Sequence, residues 1–191
     1  MNLSPAMNIA YICAPRTGEV DLVLEEFSLE LAQRGVATSG LVQVNSYRVG
    51  RHKCDMDVRV LPDGPTVRIS QSLGNNAKGC RLDPAALERA VSDVNLQLTR
   101  FPEILIVNKF GKHEASGRGF RDTIAEALIQ NTPVVVGINQ LNFKAFQEFC
   151  GGSETQVQAS SKALMRWFDG IKRQSPRRLH PVQHSDVLAP A

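Results

Sequence analysis

Ile104, Leu105, Ile106 and Val107 form an unbroken apolar run, too short for a helix and β-branched at three of its four positions. A strand that is apolar on both faces must be covered on both faces. That is the situation of an inner strand of a parallel sheet between two helix layers. The signature recurs in Asn8 to Ala14, in Val36 to Val44 and in Pro133 to Ile138. The segments between these strands carry helical spacing instead: Val20, Val23, Leu24, Phe27 and Leu31; Leu87, Ala90, Val91, Val94 and Leu98; Phe120, Ile124, Ala127 and Leu128. This alternation predicts an α/β domain of three layers with a mostly parallel sheet and right-handed crossovers.

Boundary residues sharpen the pattern. Gly35 sits where a helix C′ glycine belongs, and Asp83-Pro84 pairs an N-cap carboxylate with proline at the first helical position. Asn142 is expected to cap a short helix carrying Phe143, Phe146 and Phe149, with Leu141 and Phe146 as a hydrophobic staple and Gly151-Gly152 closing it. A last amphipathic helix carries Leu164, Trp167, Phe168 and Ile171. Between Asn45 and Cys80 the period changes to two. Met56, Val58 and Val60 alternate, as do Val67 and Ile69, around the turn Pro62-Asp63-Gly64-Pro65. This predicts a β-hairpin inserted after strand two.

At 191 residues and 42% hydrophobic content the chain can bury one core. Residues 7–173 are read as a single domain and 174–191 as a flexible basic tail. The net charge of +3 is concentrated late, in Lys162, Arg166, Lys172, Arg173, Arg177 and Arg178, so the body is close to neutral and no nucleic-acid face is indicated. No apolar run reaches the ~20 residues of a membrane span, and the start lacks a secretory leader. A cytoplasmic protein with reduced thiols is expected, with Cys13 and Cys150 as small core residues. The C-terminal helix either packs back on the domain, the expected outcome, or presents Trp167 and Phe168 to a protein partner.

Three stretches could carry chemistry. After the central strand, Lys109, Lys112, Arg118 and Arg121 place four cations in one loop and helix start, answered by Glu114 and Asp122. Gly111, Gly117 and Gly119 allow a ligand close to the backbone. In an open α/β sheet this is where ligands bind. The turn after strand one, Pro15-Arg16-Thr17-Gly18, stands where a phosphate-binding GxxxxGK[ST] loop would stand. Glu19 replaces its lysine and Val20 its hydroxyl, so any anion there is held by backbone donors and Arg16. Third, His52, Cys54 and Cys80, flanked by Arg51 and Arg81, could hold a Zn²⁺-like ion or form a redox-active thiol pair, although their spacing matches no zinc pattern.

Read end to end, GRHKCDMDVRVLPDG, RISQSLG, KGCRLD and VNKFGKHEASGRGF resemble an uncharacterised bacterial domain-of-unknown-function family often encoded near molybdate ABC-transporter genes. The resemblance spans about Asn8 to Gly152. It implies an accessory role in molybdenum or oxyanion metabolism and no particular reaction. More distantly, the layout is similar to small P-loop nucleoside-triphosphatases whose Walker B segment reads DEIGKME. Gly111, Lys112 and Glu114 match that segment, whereas Asn108 replaces its Mg²⁺-holding aspartate and Lys109 its water-activating glutamate.

The reading is a P-loop-like domain that binds a small anion, a nucleotide or a molybdate-type oxyanion, through Pro15, Arg16, Thr17, Gly18, Asn108, Lys109, Gly111, Lys112, Arg118 and Arg121. No cofactor is assigned. Two alternatives stand beside it. One is a weak Mg²⁺-dependent hydrolase or phosphotransferase with Glu114 as base and Lys112 as charge stabiliser. The other is a metal- or redox-handling protein built on His52, Cys54 and Cys80.

Overall fold

The computed structural model describes residues 8–46, 55–71 and 81–174. Seven strands form one sheet: β1 (Ile9–Cys13), β2 (Thr38–Ser46), β3 (Asp55–Val60), β4 (Thr66–Arg68), β5 (Ile104–Phe110), β6 (Val134–Ile138) and β7 (Thr155–Gln156). Their spatial order is β4-β3-β2-β5-β6-β1-β7. β2, β5, β6, β1 and β7 run parallel, while β3 and β4 return antiparallel as the inserted hairpin at one edge.

The helices are α1 (Glu19–Gln33), α2 (Pro84–Leu98), the single turn α3 (Lys112–Ala115), α4 (Arg121–Ile129), α5 (Phe143–Cys150) and α6 (Ser161–Gln174). They segregate to the two faces of the sheet. Leu24, Phe27 and Leu31 of α1 join Leu164, Met165 and Phe168 of α6 against Ala10, Ile12, Ile104 and Ile106. The opposite face packs α2, α4 and α5 on Tyr11, Leu105, Val107, Phe110 and Val136. The apolar face of α6 is therefore covered by α1 and the sheet. Leu164 and Phe168 are 0% and 1% exposed, and burying each contributes about 1.5–3 kcal/mol.

Several local expectations hold. Gly35 follows α1 in the left-handed region at φ 67°, and Asp83 caps α2 by accepting from Ala86 N at 3.1 Å. Others fail. Leu141 is 92% exposed and makes no staple, and Asn142 caps nothing with its side chain. Asn139 does the capping instead, accepting from Asn142 N at 3.2 Å across a 3-10 turn (Gln140–Asn142) that swings Leu141 outward. Strand two starts at Thr38, two residues later than its apolar run, and continues to Ser46. β7, two exposed residues beside β1, leaves no periodic trace in the sequence. Of the residues read as a tail, 174–191, Gln174 still belongs to α6, and 175–191 lie outside the described residues, as do His52, Cys54 and Cys80.

Candidate functional site

The carboxyl ends of β5, β6 and β1 lie side by side, so the segments leaving them share one edge of the sheet. How β5 ends decides what that edge presents. Ile104 and Ile106 face α1 and α6, whereas Leu105 and Val107 face α2 and α4. Strict alternation would turn Phe110 toward α1. A bulge intervenes: Val107 pairs with Val136 but Phe110 with Ile138, three residues against two. The extra residue returns Phe110 to the α2 side, leaves Asn108 facing α1 and puts Lys109 into solvent.

Asn108, 3% exposed, is bonded through both its oxygen and its nitrogen in this place. Its Oδ1 accepts from Gln43 N at 2.9 Å, taking over where the β2–β5 ladder ends. Its Nδ2 donates to Asp21 Oδ1 at 2.8 Å, and Gln43 Nε2 donates to Asp21 Oδ2 at 3.2 Å. One network thus joins α1, β2 and β5. Gly137 makes the junction possible, since a Cβ there would meet the Asn108 carbonyl and the Val20 side chain.

In the first turn, Pro15, Arg16 and Thr17 are exposed, and Gly18 enters α1 at φ 84°. Glu19 N bonds back to Arg16 O at 3.3 Å, a tight turn. Glu19 Oε2 is buried and accepts no hydrogen bond among the described residues. A carboxylate in this place opposes an anion seated directly over the turn, and favours one held farther out, toward Arg16 and the loop after β5.

That loop is organised by carboxylates. Glu114, 3% exposed, accepts from Gly111 N at 2.8 Å and from Phe120 N at 3.3 Å, closing residues 111–120 on themselves. Gly119 lies so close over Glu114 and His113 that a Cβ would strike both. Glu88 of α2 accepts from Gly119 N at 3.1 Å and bonds His113 Nε2 at 2.7 Å. A groove of ≈ 460 Å³ opens there between α2 and the loop, lined by Pro84, Glu88, His113, Arg118, Gly119 and Asp122 among others. Farther along, the Arg121 guanidinium lies 4.6 Å over the Phe149 ring of α5. Phe149 continues an aromatic cluster through Phe110 and Phe146 to Tyr11. Burial, then Glu154, pushes the Tyr11 hydroxyl up from its ordinary value.

The ten residues singled out for ligand binding therefore share an edge but not one cavity. Asn108 sits inside the network with Asp21, Gly111 gives its amide to Glu114, Arg118 lines the groove and Arg121 is stacked on α5. Glu114, the candidate base, has both carboxylate oxygens occupied by backbone amides. The sequence marks neither Gln43 nor Glu88, and it marks Asp21 and His113 only as a carboxylate of the first helical turn and a member of the polar cluster after the central strand. Among the described residues no group of His, Cys, Asp and Glu could hold a metal, and no helix is long and apolar enough to cross a membrane.

Three comparisons bear on this architecture. The family described as "Protein of unknown function (DUF2478)" matches residues 9–167. "Molybdenum import ATP-binding protein ModC 2" of Bradyrhizobium diazoefficiens is 31% identical over 150 residues, 78% of this chain. Those residues make up 17% of that protein, so the chain spans about a sixth of its length. The solution structure of a human cancer-related nucleoside triphosphatase matches with a TM-score of 0.55 at 14% identity, over 90% of this chain and 100% of that one. The last is a likeness of fold and fits the seven-stranded, mostly parallel sheet.

Proposed function

We propose that this chain, which belongs to the DUF2478 family of proteins of unknown function, binds a small anion at the carboxyl edge of its sheet without hydrolysing it. The observation that carries the reading is an asymmetry of charge. Arg16, Lys109, Lys112 and Arg118 are exposed at this edge, and among the described residues none has an ion pair. Of the acids in the same region, Asp21 is bonded to Asn108 and Gln43 and Glu114 to two amides, while Glu88, 48% exposed, bonds His113 and Gly119, and Asp122 is exposed at the groove. Four exposed cations against the exposed Glu88 and Asp122 leave the edge net positive, which suits a nucleotide or a tetrahedral oxyanion such as molybdate as the proposed ligand.

Hydrolysis lacks its parts. Metal-assisted phosphoryl transfer needs a cation over the phosphates, a hydroxyl and a carboxylate around Mg²⁺, and a group to position water. Glu19 and Val20 supply neither of the first two, Asn108 is bonded on both sides, and Glu114 is occupied. The similarity to a molybdenum import ATP-binding protein supports an accessory role in molybdenum handling as part of this proposal.

Calorimetry and thermal shift with inorganic phosphate, molybdate, tungstate, ADP and ATP, each with Mg²⁺ and with chelator, test the reading. Binding is expected to survive chelation, to weaken with salt and to drop in Lys112→Ala and Arg118→Ala. Stabilisation by a bound anion grows with its concentration relative to Kd. A nucleotide response that requires Mg²⁺, with phosphate release, would replace this reading by the hydrolase. No response to any of the five would overturn it.

A further inference from the structure

Among the described residues, the hydrogen bonds between loop 111–120 and α2 converge on one oxygen, beside the packing of Phe120 in the core. Glu88 Oε1 meets His113 Nε2 at 2.7 Å and the Gly119 N–H at 3.1 Å. The partners of Glu114, Gly111 and Phe120, both lie within the loop. The position of His113 is passed on directly. Its carbonyl accepts from Ser116 N at 3.2 Å, from Ser116 Oγ at 2.8 Å and from Arg118 N at 3.2 Å. Its side chain is 9% exposed, so the ring has little freedom to turn away from Glu88.

The strength of this contact depends on a proton. A neutral imidazole protonated on Nδ1 turns a lone pair toward the carboxylate, and its tautomer protonated on Nε2 donates a hydrogen bond in which only the acceptor is charged. An imidazolium donates a bond in which both partners are charged, and the attraction of opposite charges is added to it. Protonation of either tautomer therefore tightens the contact. The charged groups around His113 are Glu88 from α2, Glu114 from α3, Arg118 from the loop and Asp122 from α4.

We propose that His113 and Glu88 form a proton-operated clasp that docks loop 111–120 onto the first turns of α2 and shapes the groove between them. Resting on the anion-binding reading above, the clasp also sets how firmly Lys112 and Arg118 are presented, so anion affinity rises as pH falls.

The clasp is tested on the full chain without ligand. In an NMR titration of the wild type, the Gly119 amide is expected to move with the His113 ring, with one shared midpoint. Hydrogen-exchange protection of residues 113–119, corrected for intrinsic rates, is expected to rise about fivefold across that midpoint. His113→Gln keeps a donor that does not titrate and is expected to flatten the change, as is Glu88→Gln, which removes the charge. A Gly119 amide that ignores His113 would overturn the proposal without any variant needing to fold. So would a His113→Gln protein that keeps the wild-type pH response. Phosphate affinity measured on the same samples separates the two readings. If loop protection titrates and no phosphate binds at any pH, the clasp stands and the anion reading falls.

Discussion

Asn108 Nδ2 and Asp21 Oδ1 meet at 2.8 Å although 87 positions separate them in the chain. The contact ties the first turn of α1 to the end of β5, with a neutral amide donating to a carboxylate. An acid in place of the amide at position 108 should therefore damage the fold.

Asn108→Asp removes the donor to Asp21 and sets two carboxylates against each other in a buried place. A lost hydrogen bond to a charged group costs about 1.5–3 kcal/mol, and repulsion adds to it. The melting temperature is expected to fall at pH 7.5 and to recover partly at pH 5, where one of the two acids takes a proton. Added Ca²⁺ or Mg²⁺ is expected to recover it as well. Melts of wild type and variant under the three conditions check this. A variant as stable as wild type at pH 7.5 would remove the network from the account of the fold.

Glu114→Gln separates a structural carboxylate from a catalytic one. The glutamine has one acceptor oxygen for two amides, so either Gly111 N or Phe120 N is left facing an NH₂ group. An unsatisfied buried donor costs about 1–3 kcal/mol. Urea unfolding is expected to show that loss, with hydrogen exchange fastest in residues 111–120. Unchanged stability together with loss of a Mg²⁺-dependent phosphate release would instead assign Glu114 to the hydrolase reading.

The layers of this fold were legible because burial imposes a period. The Ile104–Val107 run, the faces of α1 and α2 and the hairpin turn all encode which side is covered. The site was less legible, because its chemistry depends on where a register changes. Nothing in Val107-Asn108-Lys109-Phe110 announces a bulge, yet the bulge buries Asn108, expels Lys109 and keeps Phe110 on the α2 face. The clustering of cations was visible in the sequence. Their separation into a turn, a groove and an aromatic stack was not, since it follows from contacts with α2 and α5 that lie far away in the chain. Leu141 misled for a similar reason: spacing fitted a staple, but Asn139 captured the cap.

Glycine at 40 and 137 is a packing requirement of the central strands. A Cβ on Gly40 would run into the Ile106 backbone, and φ there is +114°, a region that side chains avoid. A Cβ on Gly137 would meet the Asn108 carbonyl and Val20. Overpacking typically costs about 1–3 kcal/mol, and a backbone obstacle cannot rotate away. Gly137→Ala is expected to lower the urea midpoint and to loosen the Asn108–Asp21 contact, read as faster exchange of the Gln43 amide. Gly40→Ala, with strain added to overlap, is expected to be the worse of the two, up to loss of folding. Wild-type midpoints for both would contradict the close approach of β2, β5 and β6.

Cys150 provides a pH test of the core beneath α5. It is 1% exposed, and burial, reinforced by Glu154 and opposed by Arg121, pushes its thiol up to about 12. In the unfolded chain the thiol would ionise near 9.0. Its folded form thus keeps a proton that the unfolded form releases first. The stability tied to that proton is complete below pH 9 and is lost as pH rises toward 12, by at most about 4 kcal/mol. Tyr11, also raised, pulls in the same direction, so the wild type alone cannot assign the slope. Cys150→Ala should be less stable at pH 7, from the small cavity, yet lose less on going from pH 9 to 11. Peptide mapping after iodoacetamide treatment of native protein at pH 8 offers an independent readout, since the thiolate is the reacting species. Cys150 should stay unlabelled while half-buried Cys13 reacts. Prompt labelling of Cys150 in folded protein would show that α5 opens readily, and the aromatic cluster would no longer account for its position.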